Sequence, residues 1–240
     1  MNIIINGATG RIGSILCQKI TEDTTHTLVA GCSRRSENLS LSDVHQPADV
    51  IIDFSNHEAT EELTSYAIAN KIPVVIATTG RTPEEERMVT ECARHVPVFS
   101  AANMSVGIAL MCQLAKNVMK AFPGAEVEII ECHHDRKLDV PSGTALLCAD
   151  TIRKMRPQSR ILVGRHEYGR RDPMDISIHS LRYGNETGTH RIIFSCGNET
   201  FELCHHAEDI ALFADGALTA AAFLIGKPAG LYGMNDILEV

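Results

Sequence analysis

The chain opens with an apolar run, Asn2-Ile3-Ile4-Ile5-Asn6, that leads directly into Gly7-Ala8-Thr9-Gly10-Arg11-Ile12-Gly13. Beyond the glycines, Ile12, Ile15, Leu16 and Ile20 recur at helical spacing. Strand, glycine turn, helix is the entry to a nucleotide-binding unit, and no other feature restricts the fold as much. The G-x-x-G-x-x-G spacing is a relative of the dinucleotide fingerprint G-x-G-x-x-G. The turn must be tight, its backbone must approach a pyrophosphate closely, and the helix N-terminus supplies N–H groups and a partial positive charge. Its place after a strand and before a helix is what that mechanism requires.

The same alternation continues. Apolar, β-branched runs at 28–32, 49–54, 73–78 and 96–101 predict four more strands, with helices near 57–70 and from Pro83. Continuous apolar strands separated by helices imply a parallel sheet covered on both faces. Past Ser105 the pattern changes. A helix over about 106–120 gives way to a strand at 127–132. A second helix starts near Ser142 and carries Leu146, Ala149, Ile152 and Met155 on one face. Strand-like runs at 176–182, 190–195 and 200–205 then follow without intervening helices, the last two joined by a Gly197-Asn198 turn. A closing helix over about 209–225 stops at Gly226 and Pro228. The expected class is α/β: a doubly wound, Rossmann-like parallel-sheet nucleotide domain plus an α+β domain with a mixed or antiparallel sheet.

A formal net charge of −8 argues against a nucleic-acid partner or an anionic membrane surface. The most apolar stretch, 217–225, is far short of the roughly 20 residues that a membrane helix needs. Eight cysteines with no C-x-x-C pair and no signal-peptide pattern read as reduced thiols of a cytoplasmic protein.

The richest chemistry lies in Glu131-Cys132-His133-His134-Asp135-Arg136-Lys137-Leu138-Asp139-Val140-Pro141-Ser142-Gly143-Thr144. A histidine can supply a proton near neutral pH. Lys137 can hold a carboxylate or stabilise developing negative charge. Ser142-Gly143-Thr144 at a helix start offers hydroxyls and unpaired N–H groups to an anion. In an extended strand, neighbouring side chains point to opposite faces, so His133 and His134 must have separate roles unless the strand ends between them. Each feature alone has a bland reading: a structural histidine, a solvated lysine, an ordinary helix cap. Together they describe a small anionic substrate whose reaction needs a proton. Cys132, His133, His134, Cys204, His205 and His206 lack the short paired spacing of a zinc site, so no metal is expected and the two cysteines read as small core residues. No hydrolase triad is legible.

Elsewhere, Ser33-Arg34-Arg35 at the end of the second strand should face the adenosine ribose, where arginine favours the 2′-phosphate of NADP. NADPH is therefore expected to be accepted at least as well as NADH. Ala77-Thr78-Thr79-Gly80 and Ala101-Ala102-Asn103-Met104 lie at strand carboxyl ends, where ligands of such sheets bind, and suit the nicotinamide side.

These residues resemble the 4-hydroxy-tetrahydrodipicolinate reductase (dihydrodipicolinate reductase) family of lysine and diaminopimelate synthesis. H-H-x-x-K-x-D-x-P-S-G-T at 133–144 carries the resemblance most specifically. G-A-T-G-R-I-G at 7–13, T-T-G at 78–80, A-N-M-S-V-G at 102–107 and G-L-Y-G-M-N-D-I-L at 230–238 follow in the family's order. The resemblance implies His133 as proton donor to substrate and Lys137 as a second donor. It implies His134, Lys137, Gly143 and Thr144 as carboxylate ligands of a small dicarboxylate. NADPH or NADH would contact Gly7, Ala8, Thr9, Gly10, Arg11, Ile12, Ser33, Arg34, Ala77, Thr78, Thr79, Ala101, Ala102, Asn103 and Met104. It further implies a nucleotide domain of 1–104 with 210–240, a substrate-binding and oligomerisation domain of 105–209, and a homotetramer.

Three positions depart from the family pattern. Ser33 stands where many members have a ribose-binding acid, Ala77 replaces a common glycine, and Met104 a common phenylalanine. The 36–48 segment is short and shows no strand. The implied reaction delivers a hydride from NAD(P)H to C4 of a cyclic imine-type dicarboxylate while His133 supplies a proton and water leaves. A redox-sensing NAD(P)-binding regulator is the rival from another class, but it has no need of a proton donor. Another two-domain dehydrogenase is disfavoured because the S-G-T anion site follows the His-Lys pair so closely.

Overall fold

The structure, a computed structural model, describes residues 1–33 and 39–238. The chain divides into two compact units, Met1–Ser105 with Ala211–Val240, and Val106–Ile210. In the first, β1 (Asn2–Asn6), α1 (Arg11–Glu22), β2 (Thr27–Cys32), β3 (Val50–Asp53), α2 (Thr60–Asn70), β4 (Val74–Ile76), α3 (Pro83–Cys92) and β5 (Pro97–Ser100) alternate along the chain. The second contains α4 (Val106–Ala121), β6 (Glu126–His133), α5 (Gly143–Met155), β7 (Ile161–Val163), β8 (Ile176–Arg182), β9 (Thr189–Ser195) and β10 (Thr200–His206). The chain then returns to the first unit through α6 (Ala211–Leu224), β11 (Gly230–Tyr232) and α7 (Met234–Leu238).

The first sheet has the order β11-β5-β4-β3-β1-β2. All of its pairings are parallel. It is buried on both sides, which explains the unbroken apolar runs. Ile4, Ile51, Val74, Ile76 and Val98 pack on one face with Leu63 and Ala67 of α2 and Val89 of α3. Ile3, Ile5, Ile52, Val75 and Phe99 pack on the other with Leu16 and Ile20 of α1 and the alanine face of α6. That face is small for a reason. A Cβ on Gly216 would lie 1.7 Å from the Met104 carbonyl oxygen, so only glycine lets α6 sit this close to the chain after β5. The α3 start is marked by Pro83 and by a reciprocal cap between Thr82 and Glu85.

Strand order reverses at β1, which lies between β2 and β3. The crevice at the carboxyl ends of β1 and β3 is therefore the topological switch point, where such sheets bind ligands. Two three-residue strands, β7 and β11, and the short α7 fall outside what periodicity predicts, because three residues carry no period. In the 39–48 stretch the only helical or strand element is one turn of 3₁₀ helix, Leu41–Asp43.

The second sheet has the order β10-β9-β6-β8-β7 and is mixed. β8 runs parallel to β6 and β7, whereas β9 is antiparallel to both β6 and β10. One face packs Val127, Ile129, Ile176, Ile178, Ile192 and Phe194 against Met111, Ala115 and Met119 of α4 and Cys148, Ala149 and Ile152 of α5. β6 buries alternate residues, so Val127, Ile129, Glu131 and His133 point inward. Cys132 has the opposite phase and is only half-buried, and Cys204 of β10 is exposed. Both therefore depart from the core role expected of them. All eight thiols are free. Among the described residues, no helix is long and apolar enough to cross a membrane.

Candidate active site

At the switch point of the first unit, Gly7 has φ +89°, and a Cβ there would lie 2.5 Å from the Phe54 carbonyl oxygen. The N–H groups of Gly7 and Ala8 both donate to the Cys32 carbonyl, which ties the turn to β2. A Cβ on Gly13 would lie 2.1 Å from the Gly7 carbonyl oxygen, so the third glycine brings α1 against the turn. Gly10 caps α1 without a side-chain hydrogen bond, and no acidic residue stands in the first turn. The orphan N–H groups of that turn are thus left to a ligand, and negative charge is favoured there. This cradle fits a dinucleotide pyrophosphate.

Beside it, Phe54, Ser55, Asn56, His57, Ala77, Thr78 and Thr79 line a cavity of about 320 Å³ at the ends of β3 and β4. Asp53, next to Phe54 in the chain, is 2% exposed. Asp53 accepts hydrogen bonds from Asn6 Nδ2 (2.8 Å), Ser55 Oγ (2.5 Å) and Thr78 Oγ1 (2.6 Å). Burial pushes this carboxyl up, and the three donors pull against it. Asp53 thereby locks the ends of β1, β3 and β4 together, a role its place in an apolar run did not disclose.

The expected nucleotide contacts fall into two groups. Thr9, Arg11, Thr79 and Ala102 are exposed. Thr78 is buried with its hydroxyl on Asp53, and Met104 is 1% exposed, so Met104 can reach a ligand only through its backbone. Asn103 Oδ1 accepts from the Ser105 N–H at 2.8 Å, which shapes the turn after β5. Ser33 donates its N–H to the Leu39 carbonyl. Arg34, and Arg35 beside it, lie outside the described residues.

In the second unit, β6 ends at His133, between the two histidines, so strand alternation does not decide where His134 points. His133 is 8% exposed, and its Nδ1 lies 2.5 Å from Glu131 Oε2. Glu131 is wholly buried and takes both ends of the Arg182 guanidinium, at 2.9 and 2.7 Å. Burial pushes the Glu131 carboxyl up, but the hydrogen bonds from His133 and Arg182 outweigh it and hold the group well below the usual carboxylate range. The His190 ring lies edge-on to His133 with centroids 5.1 Å apart, and its Nε2 is 3.0 Å from Ser142 Oγ. Ser142 Oγ also accepts from the Ala145 N–H, capping α5. Burial, with the neighbouring His133 charge, depresses His190 to about 3, so this ring stays neutral.

The turn from His134 to Thr144 carries the remaining predicted residues. His134 donates its N–H to the Glu186 carbonyl at 2.7 Å. The Lys137 ammonium lies 2.8 Å from Asp139 Oδ1, a carboxylate at the rim that is 57% exposed. With Asp139 this exposed, the pair is worth only about 0–1 kcal/mol, so Asp139 does not hold the ammonium tightly. Gly143 opens α5, with nothing within 4 Å of a Cβ built there and no acid in the first turn. Open space therefore adjoins a helix N-terminus one turn of chain away from a buried proton-bearing ring.

The chain matches two family models over nearly its whole length. Residues 1–104 match "Dihydrodipicolinate reductase, N-terminus" and 107–238 match "Dihydrodipicolinate reductase, C-terminus". The chain belongs to the dihydrodipicolinate reductase family.

It is 41% identical to the 4-hydroxy-tetrahydrodipicolinate reductase of Caldanaerobacter subterraneus subsp. tengcongensis, covering 100% of this chain and 98% of that one. With the Clostridium tetani reductase the identity is 38%, over 100% and 97%. The dipicolinate-bound dihydrodipicolinate reductase from Paenisporosarcina sp. TG-14 superposes with a TM-score of 0.81 at 26% identity, over 99% of each chain. The chain is thus an NAD(P)H-dependent oxidoreductase that reduces 4-hydroxy-tetrahydrodipicolinate in lysine and diaminopimelate synthesis.

Three residues of this reductase site escaped the sequence reading: Glu131 as a hydrogen-bonding hub, Arg182 and His190. A signal existed for two of them. Glu131 continues the inward phase of Val127 and Ile129, and His190 that of Ile192 and Phe194, so each is a polar side chain on a buried face. Glu131, His133 and His190 also bring three donor atoms within 4.8 Å of one another. That trio does not fit a metal site. Each oxygen of Glu131 already accepts two hydrogen bonds, and the Arg182 cation already neutralises the carboxylate a divalent ion would need.

Proposed function

We propose that His133 donates the proton to the substrate and that Lys137 is the second donor. Under this reading His134, Lys137, Gly143 and Thr144 hold the carboxylates of the dicarboxylate. One observation carries the proposal: the histidine is buried against an ionised carboxylate while the turn that follows it ends in an open helix N-terminus. A buried, hydrogen-bonded ring keeps one orientation, and the open space at Gly143, at the start of a helix with no acid in its first turn, suits a carboxylate. His190 cannot compete for the role, being neutral throughout the working pH range. When bound, NAD(P)H supplies the hydride. The glycine turn at 7–13, Ala77 to Thr79 and Ala101 to Met104 are the residues proposed to hold it, in a nucleotide domain formed by the first unit. The second unit then binds substrate.

NADPH is proposed to serve at least as well as NADH, on the strength of Ser33 and Arg34. Assembly as a homotetramer is supported by the outer face of the second sheet, where Leu181 is 44% exposed. Eight free thiols support a cytoplasmic setting.

The test is an assay coupled to the upstream synthase, which generates substrate freshly, with NADH and NADPH oxidation followed separately. A general acid contributes about 10²–10⁴-fold, so His133→Gln should lower kcat by that order. Lys137→Ala should lower kcat and raise KM together, because it removes a binding charge as well. Near-wild-type activity in both variants would refute the assignment.

A further inference from the structure

We infer that Glu131 is a positioning residue that acts through His133 and Ser142 at once, orienting the proton donor with one oxygen and the carboxylate-binding turn with the other. This rests on the reading of His133 as donor. Oε2 faces His133 Nδ1 at 2.5 Å, and Oε1 accepts the Ser142 N–H at 3.2 Å. Arg182 bridges the two oxygens and also donates to the Asp139 carbonyl at 2.7 Å, so it spans the turn that carries Lys137.

The chemistry of the contact dictates the tautomer. An ionised carboxylate can only accept, so Nδ1 must be the nitrogen that carries a hydrogen towards Glu131. That leaves Nε2 as the atom that gains and gives up the working proton. A Cβ at position 188 would lie 3.1 Å from Nε2, so Gly188 keeps the side chain of β9's lead-in off that edge. On the other oxygen, the Ser142 N–H bond fixes where α5 begins, and with it the N–H groups of Gly143 and Thr144. One carboxylate therefore sets the distance between acid and anion site. A carboxamide cannot do so, because its NH₂ end cannot accept from His133, Arg182 or Ser142.

A double-mutant cycle on the full chain tests this, with Glu131→Gln, His133→Gln and the pair together, in the NADPH-coupled assay. In a serine protease triad the equivalent carboxylate-to-carboxamide change lowers kcat about 10⁴-fold. We expect Glu131→Gln to lower kcat by about 10²–10⁴-fold while the Kd for NADPH stays within about twofold. The double variant should be no slower than His133→Gln alone, since residues that act as a unit are non-additive. Losses that multiply, or a Glu131→Gln enzyme within about threefold of wild type, would overturn the inference while leaving His133 as donor. A near-wild-type His133→Gln enzyme would overturn the donor reading itself. Should Glu131→Gln not fold, ¹⁵N imidazole shifts of wild-type protein with NADPH bound decide the matter. Neutral His133 should carry its hydrogen on Nδ1, and a hydrogen on Nε2 instead would refute the role.

Discussion

His190 is 4% exposed, shares a hydrogen bond between its Nε2 and Ser142 Oγ, and has no hydrogen-bond partner for Nδ1. Its folded-state affinity for a proton is depressed from the ordinary 6.5 to about 3, first by burial and then by the His133 charge. Above pH 6.5 the ring is neutral in the folded and unfolded chain alike, and pH has no purchase on it. Between pH 6.5 and about 3 the unfolded chain takes up a proton that the folded chain refuses, so stability falls as pH falls. Each pH unit in that window is worth about 1.4 kcal/mol, so moving from pH 7 to pH 5 should remove roughly 2 kcal/mol. The Glu131 carboxylate acts in the same direction, but only at lower pH, below the usual carboxylate range. His205 is also depressed by burial and contributes a background that a variant at 190 leaves in place. His190→Gln keeps a hydrogen-bonding group for Ser142, which an amide can serve as donor or acceptor, and does not titrate. Urea unfolding followed by far-UV circular dichroism at pH 7 and pH 5 should show the wild type losing about 2 kcal/mol more than His190→Gln over that interval. Parallel pH profiles for the two proteins would refute the reasoning, as would a ¹H NMR titration of His190 between pH 8 and pH 5. The consequence for the proposed catalysis is selective: of two rings 5.1 Å apart, His190 is held neutral, which agrees with the proposal that His133 carries the proton.

Two further outcomes test the first unit. Gly13→Ala places a methyl 2.1 Å from the Gly7 carbonyl oxygen, so the turn or the helix must move. It should destabilise the fold by about 1–3 kcal/mol and weaken NADPH at least about tenfold in a fluorescence titration; unchanged affinity would mean the turn does not hold the cofactor. Asp53→Leu strips the acceptor from Asn6, Ser55 and Thr78, and each stranded donor costs about 1–3 kcal/mol. Denaturant unfolding should show a loss above about 3 kcal/mol, and a variant as stable as wild type would show that the three donors find water instead.

What could be read from the sequence follows from locality. The glycine turn, the β1–α1 junction and the two-faced burial of the first sheet are written in short-range pattern, since a tight turn needs glycine and a sheet covered on both faces needs unbroken apolar runs. His133, Lys137, Gly143 and Thr144 lie within twelve residues, so their types and spacing alone carry the reading of an acid beside an anion site that is proposed above. The tertiary structure alone decided what orients them. Arg182 is 51 residues from Glu131, and His190 is 48 from Ser142. Period-two alternation tells which face a strand residue takes but never which strand lies beside it. Only the order β9-β6-β8 sets Glu131 opposite His190 on one side and His133 opposite Arg182 on the other. The same limit hid β7 and β11, which exist because a neighbouring strand pairs with them, and it misplaced Cys204, whose exposure depends on which face of the second sheet the helices cover.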